Sequence, residues 1–412
     1  MKINVLGLGY IGLPTALLLA KSGNDVVGVD IDEEKLKILK KGNLPFEEPG
    51  LEELYQEGKN NFKPKSEPER SDAFIIAVPT PLDRDINVAD LKSVKDAGNM
   101  IYPVLSKGDL VILESTVPPG TSKNLVLPIL KKSGLKESEF FLAHSPERAI
   151  PGNTLNEMIN NDRIIGGLTD ESTNKAIEVY SGFTKGRIFK TDIKTAEMVK
   201  LMENTFRDVN IALANEFSRI AEDVGIDIWE AIGLANNHPR VDILRPGPGV
   251  GGHCISVDPL FLTANSTTSK MINLAREIND SMPNFILSFV RKKLADLEQP
   301  TLSIFGVAYK GNVDDTRETP AKKIIKLAKN EGYHVKCYDP YVKDFDQKLF
   351  DLEESVKDSD CIVIVADHDE FKDIDPKKLK MNNKNIIDTR NIIDREKWEN
   401  AGFDVKIMGS VQ

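Results

Sequence analysis

Cys254 ends a glycine-rich run, Pro246-Gly-Pro-Gly-Val-Gly-Gly-His253-Cys254-Ile-Ser-Val-Asp258-Pro259, in which side-chain bulk is stripped away around a thiol. Glycine adopts backbone conformations closed to other residues and lets a ligand or a second backbone come close, so the setting suits an accessible nucleophile. The bland alternative is a turn that contains a buried cysteine, the usual fate of this residue type. A second set of polar residues lies upstream. Lys200, Asn204 and Arg207 are spaced i, i+4 and i+7 in a segment of helical periodicity, so they share one helix face, flanked by Leu201, Met202 and Phe206. Such a stripe is commonly a solvated face, but these residues do not form the usual glutamate-lysine ladder. A cation and an amide facing one way suit a sugar oxygen or an oxyanion.

Gly7-Leu-Gly9-Tyr10-Ile11-Gly12 follows an apolar run and opens a helical pattern, the context in which a glycine triplet reads as a dinucleotide turn. The amides at the helix start can take a pyrophosphate. Asp30 stands eighteen positions after Gly12, at the end of the next apolar run, where a carboxylate accepts ribose hydroxyls and repels a 2′-phosphate. NAD is therefore expected over NADP. The alternative is a tight turn with a capping acid at Asp30 or Asp32. Lys35 follows on the next helix and could reach the adenosine side, although a solvated lysine is the default. Thr80 and Thr116 end two further apolar runs. Ligands of open parallel sheets bind beyond the strand carboxyl ends, which places both hydroxyls near a nicotinamide; strand-end threonines also cap turns.

The elements that must carry these residues follow from periodicity. Residues 3–6, a helix from Leu13 to Lys21 and a strand over 25–31 form a β-α-β unit, and apolar runs at 73–78, 110–113 and 140–143 extend a parallel sheet. The stretch from Lys194 to Val224 lacks proline and glycine and predicts a long spine helix. Strand runs return at 301–307, 334–338, 361–366 and 385–387, with a helix over 320–329, which echoes the N-terminal pattern. The expected fold class is α/β: a Rossmann-type doubly wound domain over 1–190, a central helical domain with the cysteine loop over 191–297, and a smaller Rossmann-like domain over 298–412.

The 412 residues are 40% hydrophobic, ordinary for a globular chain of two or three domains. A formal charge of −10 gives no basic footprint for nucleic acid, so an anionic ligand must be held by local cations or amides. No stretch reaches a membrane span and no cleavable leader is evident. Three scattered cysteines cannot build a disulfide framework or a zinc cluster, so no metal is expected and a cytoplasmic location is. Cys337 and Cys361 lie in strand-like runs and read as core.

The segments GLGYIGLP, AVPTPLD, ESTVPPGT, SPERAIPG, KLMENTFRDVN, PGPGVGGHCISVDP and AYKGNVDDTRETP occur in the order found in the nucleotide-sugar 6-dehydrogenases, and the chain resembles that family over nearly its whole length. The family comprises UDP-glucose dehydrogenase and its N-acetyl-sugar relatives. Glucose-type members carry a second glutamate shortly after the one matching Glu147, whereas this chain reads Glu147-Arg148-Ala149-Ile150-Pro151-Gly152. The run Asn237-His238-Pro239-Arg240-Val241 resembles the mannosamine branch. The resemblance implies a four-electron oxidation at C6 of a UDP-N-acetyl sugar, with two NAD consumed per product. It implies Cys254 as nucleophile, Lys200 as proton donor or acceptor with Asn204 beside it, and Asp258 in the water or lysine network. It further implies Glu147, Arg148, Lys200, Asn204, Arg207, His238, Arg240, Gly251, Tyr309 and Lys310 at the sugar nucleotide, Arg317 near the cofactor, and a homodimer or tetramer built on the spine helix. UDP-N-acetylglucosamine or UDP-glucose as substrate, a two-electron dehydrogenase of the β-hydroxyacid type, and a non-catalytic NAD-binding sensor or scaffold are the alternatives.

Overall fold

In the computed structural model, which describes residues 1–150, 152–264 and 266–410, contacts divide the chain into two compact units. One comprises Met1–Glu203 with a short segment from Leu260; the other comprises Asn204–Pro259 and the chain from Ser266 onward. The boundary falls within one 32-residue helix, Ile193–Val224, which is the expected spine.

The first unit is built on eight strands: β1 Lys2–Leu6, β2 Asp25–Val29, β3 Phe62–Lys65, β4 Ala73–Ile76, β5 Leu110–Leu113, β6 Phe141–His144, β7 Arg163–Gly167 and β8 Ile188–Asp192. Their order is β8-β7-β6-β5-β4-β1-β2-β3. All pairings are parallel except β6 with β7, a departure from the wholly parallel sheet expected. Strands such as Ala73-Phe-Ile-Ile76 and Leu110-Val-Ile-Leu113 are buried at every position because helices cover both faces, which is why they read as unbroken apolar runs. One face packs Leu13, Leu17 and Tyr180 over Ile75 and Ile112. The other packs Ile101, Val126 and Leu130 over Phe74 and Val111. The chain leaves β1 toward β2 and β3, then returns to place β4 on the other side. The crevice beyond the ends of β1 and β4 is thus the switch point where such sheets bind ligands.

The second unit carries a five-stranded, fully parallel sheet of β9 Thr301–Phe305, β10 His334–Tyr338, β11 Cys361–Ile364, β12 Asn385–Asp388 and β13 Asp404–Ile407, ordered β10-β9-β11-β12-β13. Cys337 and Cys361 are buried in it, and burial pushes the Cys337 thiol up to about 12 and that of Cys361 higher still. Both are inert packing residues, as their surroundings in the sequence suggest.

Candidate active site

Each glycine of the first turn has its own steric reason. Gly7 has φ of +93°, and a Cβ there would lie 2.5 Å from the Ala77 carbonyl oxygen; at Gly12 it would lie 1.8 Å from the Gly7 oxygen. At Gly9 a Cβ would meet nothing within 4 Å, so the backbone there is open to a ligand. These are the turn, close-packing and ligand-approach roles of a dinucleotide fingerprint. The helix that follows, Gly12–Lys21, has no side-chain cap at Ile11; Leu13 already donates its amide to the Gly9 carbonyl at 3.1 Å and Pro14 has none, so a diphosphate would be met by the turn leading into Gly12. Tyr10 is exposed and its ring lies against Phe46 at 4.3 Å between centroids.

Asp30 is buried and accepts from the Leu8 amide at 2.8 Å, the Asp32 amide at 2.9 Å and Lys35 Nζ at 2.7 Å. Burial alone would raise its carboxyl, but the hydrogen bonds from Lys35 and the amides outweigh it and hold the group below its ordinary range. Lys35 thus pairs with Asp30, the carboxylate that the sequence offers as the ribose acceptor. The Thr80 hydroxyl donates to the Thr116 carbonyl at 2.8 Å and so ties the ends of β4 and β5 together beside the switch point. The residues present fit an NAD molecule: open glycine, uncapped helix start and an ionised acid at the ribose position.

Glu147, nine-tenths buried, accepts the amides of Arg148 at 2.6 Å and Ala149 at 2.8 Å and Nη2 of Arg163 at 2.7 Å. Burial opposes its charge, yet the Arg163 guanidinium and the two amides keep its carboxyl below the usual range. Arg148 spends its guanidinium on Glu203 at 2.7 Å and on the Asp162 carbonyl at 2.7 Å. Lys200 is 7% exposed on the spine helix. Glu197, which periodicity alone did not single out, is buried one turn earlier and accepts the amides of Gly120 and Ser122, so it anchors the loop after Thr116.

In the second unit Asn204 is fully buried; its Nδ2 donates to Asp258 and its Oδ1 accepts from the Arg207 guanidinium. Two members of the predicted stripe, Asn204 and Arg207, are therefore joined to Asp258 in one network and do not form a solvated ladder. Cys254 is exposed, against the buried-turn alternative, and its carbonyl accepts the amides of Val257 at 3.0 Å and Asp258 at 2.8 Å. Thiol and carboxylate thus sit at the two ends of one tight turn. The glycines before it make room for Tyr309: a Cβ on Gly251 would lie 2.7 Å from Tyr309 Cβ, and one on Gly252, with φ of +82°, within 2.9 Å of its ring. Burial, the Asp315 carboxylate and the Cys254 sulfur push the Tyr309 hydroxyl above its ordinary range. The Arg317 carbonyl accepts the Gly252 amide at 2.9 Å, while its guanidinium forks onto Asp315 at 2.6 Å. Lys310 is exposed beside Tyr309. His238 and Arg240 are exposed past the helix Ile228–Ala235, and His238 Nδ1 accepts the Arg240 amide at 3.3 Å.

Among the described residues no group of acids, histidines and cysteines could hold a metal ion, and no helix is long and apolar enough to cross a membrane.

Three family segments match in chain order: the NAD binding domain of the UDP-glucose/GDP-mannose dehydrogenase family over residues 1–184, its central domain over 194–281, and its UDP binding domain over 303–395. The chain is 51% identical to the UDP-N-acetyl-D-mannosamine dehydrogenase of Methanocaldococcus jannaschii, across 99% of this chain and 96% of the relative. The structure of UDP-D-ManNAc dehydrogenase from Pyrococcus horikoshii superposes with a TM-score of 0.93 at 43% identity, covering 99% of each chain. That of the UDP-N-acetyl-mannosamine dehydrogenase from S. aureus gives 0.90 at 42% identity, covering 100% of this chain and 99% of the other. With an NAD turn, a UDP binding domain and end-to-end relatives of this kind, the chain belongs to the UDP-glucose/GDP-mannose dehydrogenase family and is an NAD-dependent oxidoreductase of UDP-sugars.

Proposed function

We propose that the protein oxidises C6 of UDP-N-acetyl-D-mannosamine to UDP-N-acetyl-D-mannosaminuronate through a cysteine-bound thiohemiacetal and thioester. The observation that carries this reading is the exposed Cys254 at one end of the turn whose other end, Asp258, accepts from Asn204, itself held by the Arg207 guanidinium, in a chain whose end-to-end relatives bear that substrate in their names. NAD, when bound, supplies hydride acceptance, once per oxidation step and twice per sugar. Lys200 receives the C6 hydroxyl proton as the alcohol becomes an aldehyde. The Cys254 thiolate then adds to the aldehyde carbon, and the oxygen takes a proton to give the thiohemiacetal. Loss of that proton with the second hydride leaves the thioester. Water adds to its carbonyl, the C–S bond breaks, and the thiolate departs as the carboxylate forms. Asn204 and Lys200 donate to the C6 oxygen, and Asp258 orders the water. Arg207, Arg240, Lys310, Tyr309 and His238 face the sugar nucleotide in this reading, cations and hydroxyl answering a diphosphate. Arg148 and Glu147 line the sugar side.

A panel of UDP-N-acetylmannosamine, UDP-N-acetylglucosamine and UDP-glucose, scored by NADH per sugar, tests the assignment. The mannosamine nucleotide is expected to give the highest kcat/KM and two NADH per product. Preference for UDP-glucose would overturn the substrate, and a ratio of one would overturn the double oxidation.

The same reading makes the protein a dimer of spine helices. Met198, Met202, Phe206, Leu213, Ile220 and Val224 recur at spacings of four or seven residues along that helix and remain exposed, Phe206 and Val224 by more than 60%. A helix of 32 residues extends about 48 Å. A stripe of this length on one element is covered by a second copy of itself through a two-fold contact, which requires no other partner. Light scattering should report a dimer for the wild type and a monomer for Leu213→Asp; a monomeric wild type at micromolar concentration would refute the contact.

A further inference from the structure

Behind Glu147 lies a set of buried polar groups, Arg163, Glu114, Tyr180 and Thr15, drawn from four parts of the N-terminal unit. Arg163, on β7 and 4% exposed, donates through Nη2 to Glu147 at 2.7 Å and through Nη1 to the Ser145 hydroxyl at 3.3 Å. Its Nη1 also lies 3.5 Å from Glu114, and its guanidinium stacks over the Tyr180 ring at 4.3 Å. Glu114, just past the end of β5, makes hydrogen bonds with the Tyr180 hydroxyl at 3.0 Å and the Thr15 hydroxyl at 3.1 Å. Thr15 lies on Gly12–Lys21, the helix that begins at the dinucleotide turn. A cleft of about 10 Å³, room for one water, is lined by Glu147, Arg148, Asp162 and Arg163.

Two largely buried carboxylates share one guanidinium here. Only one negative charge is compensated, and an uncompensated buried charge is costly. Glu147 has the stronger donors, two amides and a close guanidinium, so it keeps its charge. Glu114 has two hydroxyls and a longer cationic contact, so it carries the proton near neutrality. The charged or titratable groups facing Glu114 are Arg163, Glu147 and Tyr180, and burial outweighs the Arg163 attraction.

We infer that Arg163 and Glu114 are positioning residues of the dehydrogenase: Arg163 fixes the Glu147 carboxylate at the sugar site, and Glu114 ties that guanidinium through Thr15 to the helix that receives the dinucleotide. The inference rests on the placement of Glu147 at the sugar proposed above.

The test compares wild type with Glu114→Gln and Arg163→Lys, by thermal unfolding across pH and by kcat and KM profiles on UDP-N-acetylmannosamine and NAD. Burial pushes the Glu114 carboxyl from 4.5 up to about 7. A raised carboxyl stabilises the fold below its unfolded value, and that stability is lost as pH climbs toward the folded one. Glu114→Gln should therefore gain in Tm relative to wild type between pH 4.5 and about 7, and should lose a wild-type inflection of kcat near pH 7. Arg163→Lys keeps the charge without the fork and should lower kcat by about tenfold with KM for NAD nearly unchanged. Identical Tm-pH curves for wild type and Glu114→Gln, or an unaltered kcat profile in a folded variant, would overturn the inference. Failure of the parent reading shows separately, as wild-type protein that reduces no NAD with any nucleotide sugar.

Discussion

Cys254→Ala should lose production of the 6-carboxylate by on the order of 10⁴-fold or more, the loss typical when a covalent nucleophile is removed. The effect is expected to be this large because nothing nearby substitutes for the sulfur. Cys337 and Cys361 are sealed in the second sheet, with thiols that burial holds protonated. Only the thiol of the glycine loop is exposed. Alkylation should therefore modify Cys254 first, and loss of activity should track that single modification. Cys254→Ser should stall as well, because a serine hydroxyl is a far weaker nucleophile at neutral pH. Rapid quench and product analysis would read the outcome: the variant releases at most aldehyde-level product, with one NADH per sugar. Acid formation at two NADH per sugar by Cys254→Ala would remove the covalent step from the mechanism.

This thiol is legible in the sequence because a steric constraint leaves its mark there. Gly251 and Gly252 are required because Tyr309 occupies the space a side chain would take, and Gly7 and Gly12 because Ala77 and the turn itself do. The central strands were equally legible, since burial on both faces leaves uninterrupted apolar runs. Edge strands were not. Phe62-Lys-Pro-Lys65 and Ile188-Phe-Lys-Thr-Asp192 each pair on one side only and bury little of their length, so neither leaves an apolar run, and Pro64 is tolerable only because β3 is an edge. The antiparallel junction of β6 and β7 has two register pairs, too short a contact to leave a pattern. The polar network around Arg163 was invisible for a different reason: Glu114, Arg163 and Tyr180 are scattered over 66 positions, and no local periodicity announces that a buried arginine will find two acids. Glu197 belongs to the same class, a charged residue on a helix whose partners are backbone amides 75 and 77 positions away. Arg148 and Arg317 show the converse limit, since their residue types suit a diphosphate while their guanidinium groups are engaged by Glu203 and Asp315.

Lys200 offers the second large effect, and its value lies in separating charge from proton transfer. The residue is buried on the spine helix one turn before Asn204, which is itself fixed between Arg207 and Asp258. A general acid-base group contributes roughly 10²–10⁴-fold to rate. Lys200→Ala should lower kcat by that range with a smaller change in KM. Lys200→Arg is the more informative variant. Guanidinium keeps the positive charge but does not surrender its proton under any physiological condition, so it can steady an oxyanion yet cannot take the C6 hydroxyl proton. If Lys200 manages protons, Lys200→Arg falls nearly as far as Lys200→Ala, and small primary amines added to Lys200→Ala restore part of the rate in proportion to their basicity. If Lys200→Arg retains activity within about threefold of wild type, fixed charge suffices. Another group must then take the proton; Asp258, hydrogen-bonded to Asn204, is the first candidate, and Asp258→Asn becomes the variant that should lose the rate.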